Sequence, residues 1–264
     1  CEGEVEGGIS RMLWLYANVK DVPEKVGPLR SARPSYVKFS KFFDAIFIHW
    51  GGSHSTKNYT GGYETIKKEK VNNIDGMSGG ELFSRDSSRK VSSEHRGILN
   101  GKKINKAIEK KGYRTELKDS SFSPLHFNST VAPAGADGAT SVGVKFSDRT
   151  DTRKFTYNAE DGKYSTNDWE KKVKFQNLII LKAESTYITV PYKGSTTTYL
   201  NYKWNSGSGK YISNGTVTNI TWEVADGKLV LKDAVGNTLS VNKGKSYIGF
   251  VSSNHNGKIT CSAE

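Results

Sequence analysis

The hydrophobic spacing of this 264-residue chain changes part-way along, and that change constrains the fold more than any single motif. In the first half, apolar residues recur at helical spacing between short strand-length runs. Beyond Gly138 they alternate at period two: Val142, Val144, Phe146, then Phe155 and Tyr157, with a turn at Asp161-Gly162. The run 178–181 and the set Tyr187, Ile188, Val190 read as further strands. Turns are expected at Gly207-Ser208-Gly209, Asn214-Gly215, Asp226-Gly227, Gly236-Asn237 and Lys243-Gly244. A stretch rich in Ser, Pro, Ala and Gly over 120–138 separates the two patterns. The expectation is an α+β protein: an N-terminal α/β layered domain over 1–128 and a mainly antiparallel β domain over 129–264, as a barrel or a sandwich.

Within the first half, the stretch 27–53 is the organising piece. Ser31 is a natural N-cap and Pro34 suits a first turn, so a helix is expected from near Ser31, burying Tyr36, Val37, Phe39 and Phe43. The apolar run Ala45-Ile46-Phe47-Ile48 follows Asp44 and suits a parallel strand. It ends in His49, Trp50, Gly51, Gly52 and Ser53, where the ligand crevice of an open α/β sheet would lie. A strand is expected over 9–16, with Arg11 as its polar intruder. Helices are expected over 63–70 and 102–111, the second stopped by Gly112. Between them a long polar loop is expected over 81–97, carrying Arg85, Arg89, His95 and Arg96.

Arg30 and Arg33 sit where the positive end of a helix dipole should repel them, unless an anion or a carboxylate lies between. With Arg11, Arg85, His49 and the Gly51 and Gly52 amides they form the candidate ligand-binding set, and Glu6 and Asp44 are the candidate orienting or neutralising acids. A structural salt bridge from Arg11 to Glu6 or Asp44 is the competing reading. A hydrolase would instead use His49 as general base, held by Asp44 or Glu6, with Ser53 as nucleophile. No nucleophile elbow, metal-ligand spacing or phosphate loop supports that, so the enzyme reading ranks below binding, and no metal or cofactor is expected. A third reading is an adhesion or scaffold protein presenting Tyr199, Tyr202, Trp204, Tyr211 and Trp222, whose alternation with polar residues fits packing on a sheet face better.

The formal charge of +12 raises the question of a polyanionic partner. Residues 1–128 carry 22 Lys and Arg against 15 Asp and Glu, and 129–264 carry 17 against 12. The excess is spread over both halves, which argues against a specific nucleic-acid face. Attraction to an anionic cell wall or membrane surface fits the charge equally well, and a merely soluble basic surface is the commoner reading, while the arginine cluster makes an anionic wall component or small molecule the expected partner. No apolar run approaches the ~20 residues of a membrane span. Cys1 and Cys261 leave three arrangements open: a disulfide tying the ends, a lipid-modified Cys1, or two free thiols.

The segments EGGISR (6–11), PEKVGPLRSARPSY (23–36), FDAIFIHWGGS (43–53) and NNIDG (72–76) resemble the first domain of the YerB-like bacterial lipoproteins. NLII (177–180), GSGKYISNG (207–215), ITWE (220–223) and KGKSYIGFV (243–251) resemble, in the same order, the second domain of that family. The resemblance implies an exported envelope protein, anchored to the outer face of the membrane of a Gram-positive-type bacterium by a lipid upstream of this segment. Its two domains carry no established function. It covers Glu6, Arg11, Arg30, Arg33, Asp44, His49 and Arg85. The family usually reads Pro-His-Asn where this chain has Glu94-His95-Arg96, and carries a strand-bearing run-in before its EGG motif. Cys1 therefore reads as an internal cysteine rather than the lipidated one.

Overall fold

A computed structural model describes residues 1–120, 123–169 and 173–263. The chain forms two compact units, one of residues 14–122 and one built from residues 1–13 together with 123–264. The first thirteen residues thus belong to the β unit and not to the domain that follows them, a departure from the expected span of 1–128. The reason is pairing at long range. Strand Glu2–Glu6 is inserted beside Ser246–Ser252, in parallel register Glu2 to Gly249, and beside Ser195–Tyr202, where Glu6 faces Tyr199. Its own hairpin partner, Ile9–Met12, is shorter than the strand expected over 9–16.

The α/β unit holds three helices, α1 (Pro34–Phe42), α2 (Gly62–Glu69) and α3 (Ile104–Lys111). Strands Phe47–His49 and Asn73–Asp75 pair in parallel, and Lys25–Val26, Gly97–Asn100 and Phe83–Arg85 form an antiparallel sheet. α1 starts two residues later than an N-cap at Ser31 predicts. Residues 31–32 are held extended against the glycine turn: the Ala32 N–H donates to the Gly51 carbonyl at 2.8 Å and the Ser53 N–H to the Ala32 carbonyl at 3.2 Å. Arg33 is therefore the N-cap, without a side-chain cap bond, and Pro34 opens the helix. Tyr36, Val37, Phe39 and Phe42 are buried, and Phe43 is half-buried at the C-cap. α3 buries Ile104 and Ile108 against Ile74, Leu82 and Leu99 and stops at Gly112, whose φ of 63° is left-handed.

Among its described residues the β unit holds two facing sheets and a short parallel pair, His126–Phe127 with Ser240–Val241. The larger has ten strands in an open order from Ser185–Tyr192 at one edge to Lys228–Lys232 at the other, so it does not close into a barrel. Its centre is Asn177–Ala183, flanked by Ser246–Ser252 in parallel and Ser206–Ser213 antiparallel. The smaller sheet contains Ser141–Lys145, Thr152–Asn158 and Lys258–Ser262. Val142, Val144, Phe155 and Tyr164 from the small sheet meet Leu178, Ile180, Ile212 and Val251 from the large one in a single core. The period-two alternation of the sequence is the record of this arrangement.

Candidate functional site

The predicted site residues divide between the two units. Arg11 belongs to the β unit, where its Nη2 pairs with Glu6 Oε1 at 2.8 Å, both side chains being largely buried. The structural salt bridge anticipated for Arg11 is the one found, with Glu6 as its acid. Arg30, Arg33, Asp44, His49, Gly51, Gly52 and Arg85 belong to the α/β unit. Asp44 follows α1 with a φ of 51° and pairs with Arg114, and it accepts the Lys118 amide at 2.7 Å. Burial pushes its carboxyl up, and the bonds from Arg114 and Lys118 outweigh that and hold it below the ordinary range.

His49 is 2% exposed and built into the turn that follows its strand. Its Nδ1 lies 2.7 Å from the Gly51 carbonyl, which can only accept, so that nitrogen carries a proton; Nε2 faces the Asn73 side chain at 3.1 Å. The ring stacks on Phe47 and meets Tyr63 edge-on. Gly51 takes a left-handed φ of 76°, and its N–H donates to Asp75 Oδ1 at 2.8 Å rather than to a ligand. Asp75 also accepts from Met77 N at 2.9 Å and from the Tyr63 hydroxyl at 2.9 Å. Burial, followed by this bond to Asp75, pushes the Tyr63 phenol up to about 12. A Cβ at Gly52 would lie 3.0 Å from the Tyr63 ring, which explains the second glycine.

Ser53 is 7% exposed, with its hydroxyl 3.0 Å from Tyr59 OH and accepting the Gly62 N–H at 2.9 Å. Among the described residues no hydrogen bond joins His49, Ser53 and Asp44 into a nucleophile–base–acid chain, and Glu6 belongs to the β unit. The segment 49–53, His-Trp-Gly-Gly-Ser, is a folded turn locked by Asp75.

Arg30 and Arg85 are the two predicted cations that converge. Arg30 Nη1 donates to the Glu94 carbonyl at 3.0 Å and lies 3.1 Å from His95 Nδ1. Arg85 Nη1 donates to the Ser93 carbonyl, and its guanidinium lies 4.7 Å from the centre of the Trp50 ring. Both therefore grip the short 3₁₀ turn Ser93–His95 inside the loop that sequence marks as long and polar. Arg96 Nε in turn donates to the Val91 carbonyl at 2.6 Å. Arg33 is not part of the group; its Nη1 donates to the Ala32 carbonyl at 3.0 Å, next to its own backbone.

Trp50 is the residue that the sequence reading passes over. It packs where a Cβ at Gly76 or Gly97 would come within 2.7 or 2.8 Å of its ring, and Phe83 meets it edge-on. The signal available was its place directly after a strand, between His49 and two glycines.

The cysteines and the aromatic set are placed as follows. Cys1 and Cys261 are free thiols, so the disulfide is not formed. Cys1 precedes a strand of the large sheet, whereas Cys261 pairs with Val142 in the small one, and burial pushes the Cys261 thiol up. Tyr199, Tyr202, Trp204, Tyr211 and Trp222 are all buried and serve packing, not a presented surface. Among the described residues no group of three or more His, Cys, Asp or Glu side chains is placed to hold a metal ion, and no helix is long and apolar enough to cross a membrane.

Residues 1–114 match the family described as "Protein of unknown function (DUF3048) N-terminal domain", and residues 142–248 its C-terminal counterpart. The chain is 30% identical to the Bacillus subtilis (strain 168) protein named "Putative lipoprotein YerB", over 95% of this chain and 73% of that one. It is also similar to the crystal structure of the YerB protein from Bacillus subtilis, with a TM-score of 0.75 and 25% identity, covering 98% of this chain and 84% of the other. Two matched domains in order and a likeness in fold along nearly the whole length identify this chain as a member of the YerB-like family with paired DUF3048 domains.

Proposed function

We propose that this chain is the extracytoplasmic part of a lipid-anchored envelope protein and that its α/β unit binds an anionic group over Arg30, Arg85 and His95. The lipoprotein name of its relative supports the address. One observation carries the activity: Arg30 and Arg85 are both held by backbone carbonyls of the same turn, and a carbonyl accepts a hydrogen bond without cancelling charge. The acid nearest Arg30 is Glu94, at 3.9 Å and 67% exposed, and it also lies 3.6 Å from His95. Arg30 and His95 thus share one loosely placed carboxylate, and Arg85 is held by a carbonyl, which leaves positive charge for a phosphate or carboxylate of a wall polymer, or for a small anion.

Titration of inorganic phosphate into the full chain, followed by calorimetry and by NMR of the arginine side chains, tests this. Saturable binding is expected, weakening with added salt and at least tenfold weaker in a folded Arg30→Ala/Arg85→Ala variant. Equal binding by the variant, or none by the unmodified protein at millimolar phosphate, overturns the reading.

A further inference from the structure

Three glutamates alternate along strand Glu2–Glu6, and two of them have an arginine. Glu2 is paired with Arg153 and Glu6 with Arg11. Glu4, between them and 1% exposed, has none. Its Oε2 lies 3.2 Å from the Tyr187 hydroxyl, and its Oε1 is sealed from solvent without a hydrogen-bond partner. A buried carboxylate in this condition is costly, because desolvation removes the water that would otherwise satisfy it.

The second acid at this place is Asp148, on the exposed turn after Ser141–Lys145, with Oδ1 3.0 Å from the same Tyr187 hydroxyl. A phenol has one hydrogen and here stands between two carboxylates. Burial foremost, with the nearby charges of Glu4 and Asp148, pushes the Tyr187 phenol well above its ordinary value, so it keeps that hydrogen and has no second to give. Whichever acid the hydrogen serves, the other meets an oxygen lone pair at about 3 Å, a repulsive contact unless positive charge bridges it.

We propose that Glu4, Asp148 and Tyr187 form a site for a hard divalent cation of the Ca²⁺ type. The donors are all oxygen, which selects Ca²⁺ or Mg²⁺ over softer metals, and Ca²⁺ tolerates the irregular geometry of two carboxylates and a phenol better than Mg²⁺ does. Glu4 forms the buried floor and the exposed Asp148 the side open to water, which completes the coordination. Arg149, whose guanidinium lies 4.0 Å from the centre of the Tyr187 ring, and His255, whose ring lies 4.6 Å from it, are the cationic or ionisable neighbours that weaken binding. With only two carboxylates, affinity belongs in the range of extracellular modules, on the order of 10⁻⁴–10⁻³ M. This site lies in the β unit and is independent of the anion patch.

Calorimetric titration of CaCl₂ into the full chain at constant ionic strength, with thermal unfolding measured in parallel, tests it. A saturable isotherm and a rise in Tm with Ca²⁺ are expected, smaller with Mg²⁺, and both at least tenfold weaker in Glu4→Gln and Asp148→Asn. Asp148 is exposed, so its variant keeps the test decisive should Glu4→Gln not fold. No saturable response to either metal at 10 mM overturns the site, as does an undiminished response in the variants. A Glu4→Gln protein that is simply more stable than the parent, with neither responding to Ca²⁺, also overturns it, because the missing positive charge is then a proton.

Discussion

Replacing Arg153 by alanine is expected to remove about 3–5 kcal/mol from the stability of the β unit, the scale for stranding a buried charge without its partner. Glu2 is 1% exposed, and Arg153 reaches both of its oxygens, through Nη2 to Oε1 and through Nε to Oε2 at 3.1 Å. The pair joins the two sheets, since Glu2 lies in the larger and Arg153 in strand Thr152–Asn158 of the smaller. Burial by itself would lower the Arg153 guanidinium; the bonds and charge of Glu2 outweigh it and raise it above its ordinary value. Without the arginine, Glu2 keeps, among the described residues, the Ser10 hydroxyl at 2.6 Å and the Tyr247 hydroxyl at 2.9 Å, two neutral donors for one sealed anion. Chemical denaturation followed by tryptophan fluorescence measures the loss. A Glu2→Gln/Arg153→Met double variant should cost less than the sum of its single changes, because each removes the group that the other strands. A loss below about 1 kcal/mol in Arg153→Ala would show that water or a rearranged donor replaces the pair.

That ion pair also marks the boundary of what can be read from the chain alone. The period of the apolar residues and the glycine stop of α3 are local properties, and so are the turns at Asn214-Gly215 and Asp226-Gly227. Each of these turns takes left-handed φ at both residues, 52° and 73° in one and 51° and 74° in the other, as hairpin chemistry demands. The turn at Lys193-Gly194 adopts the same conformation, with φ of 46° and 75°, but lysine gives no such signal. The place of strand Glu2–Glu6 is not local at all. Apart from its hairpin partner Ile9–Met12, its neighbours Ser195–Tyr202 and Ser246–Ser252 come from the far end of the chain, and nothing in EGEVE says that its acids will be buried.

The candidate site was legible to a similar degree. Arg30 was identifiable as a cation at odds with a helix dipole, and the loop over 81–97, with Arg85 in it, as too long to be idle, although Phe83–Arg85 folds as a strand. That the loop would meet them with backbone carbonyls could not be read, because every residue carries one. Arg11 was placed by its neighbours in sequence and resolved by its pairing with Glu6. His49 and the glycines after it look like a ligand turn in sequence because a turn locked by a half-buried aspartate uses the same residue types: glycine for a positive φ and for close approach, histidine for a tight hydrogen bond.

Gly207 and Gly209 follow the same logic with a different outcome, and they give the second large expected effect. In sequence, Gly207-Ser208-Gly209 reads as a turn. In the fold it is the interior of strand Ser206–Ser213, with Gly207 opposite Trp222 and Gly209 opposite Ile220. The glycines are there for proximity: a Cβ at Gly207 would lie 2.1 Å from the Lys182 carbonyl oxygen and 2.8 Å from Trp222 Nε1, and one at Gly209 2.5 Å from the Ile180 carbonyl oxygen. Trp222 is 1% exposed, and its Nε1 donates to Lys182 O at 3.1 Å and Ser208 O at 3.2 Å. Gly207→Ala must therefore displace either the central strand Asn177–Ala183 or the indole, and neither is a flexible side-chain end. A loss of roughly 3 kcal/mol is expected, at the upper end of what overpacking a core costs. Ser208→Ala, one residue along the same strand but exposed, should stay within about 0.5 kcal/mol, which separates the loss of space from any general weakness of the strand. Trp222 emission should shift to the red in Gly207→Ala as the indole is pushed out of place. Equal stability of the two variants would mean that the strand moves aside at little cost, and that these glycines mark a turn preference after all.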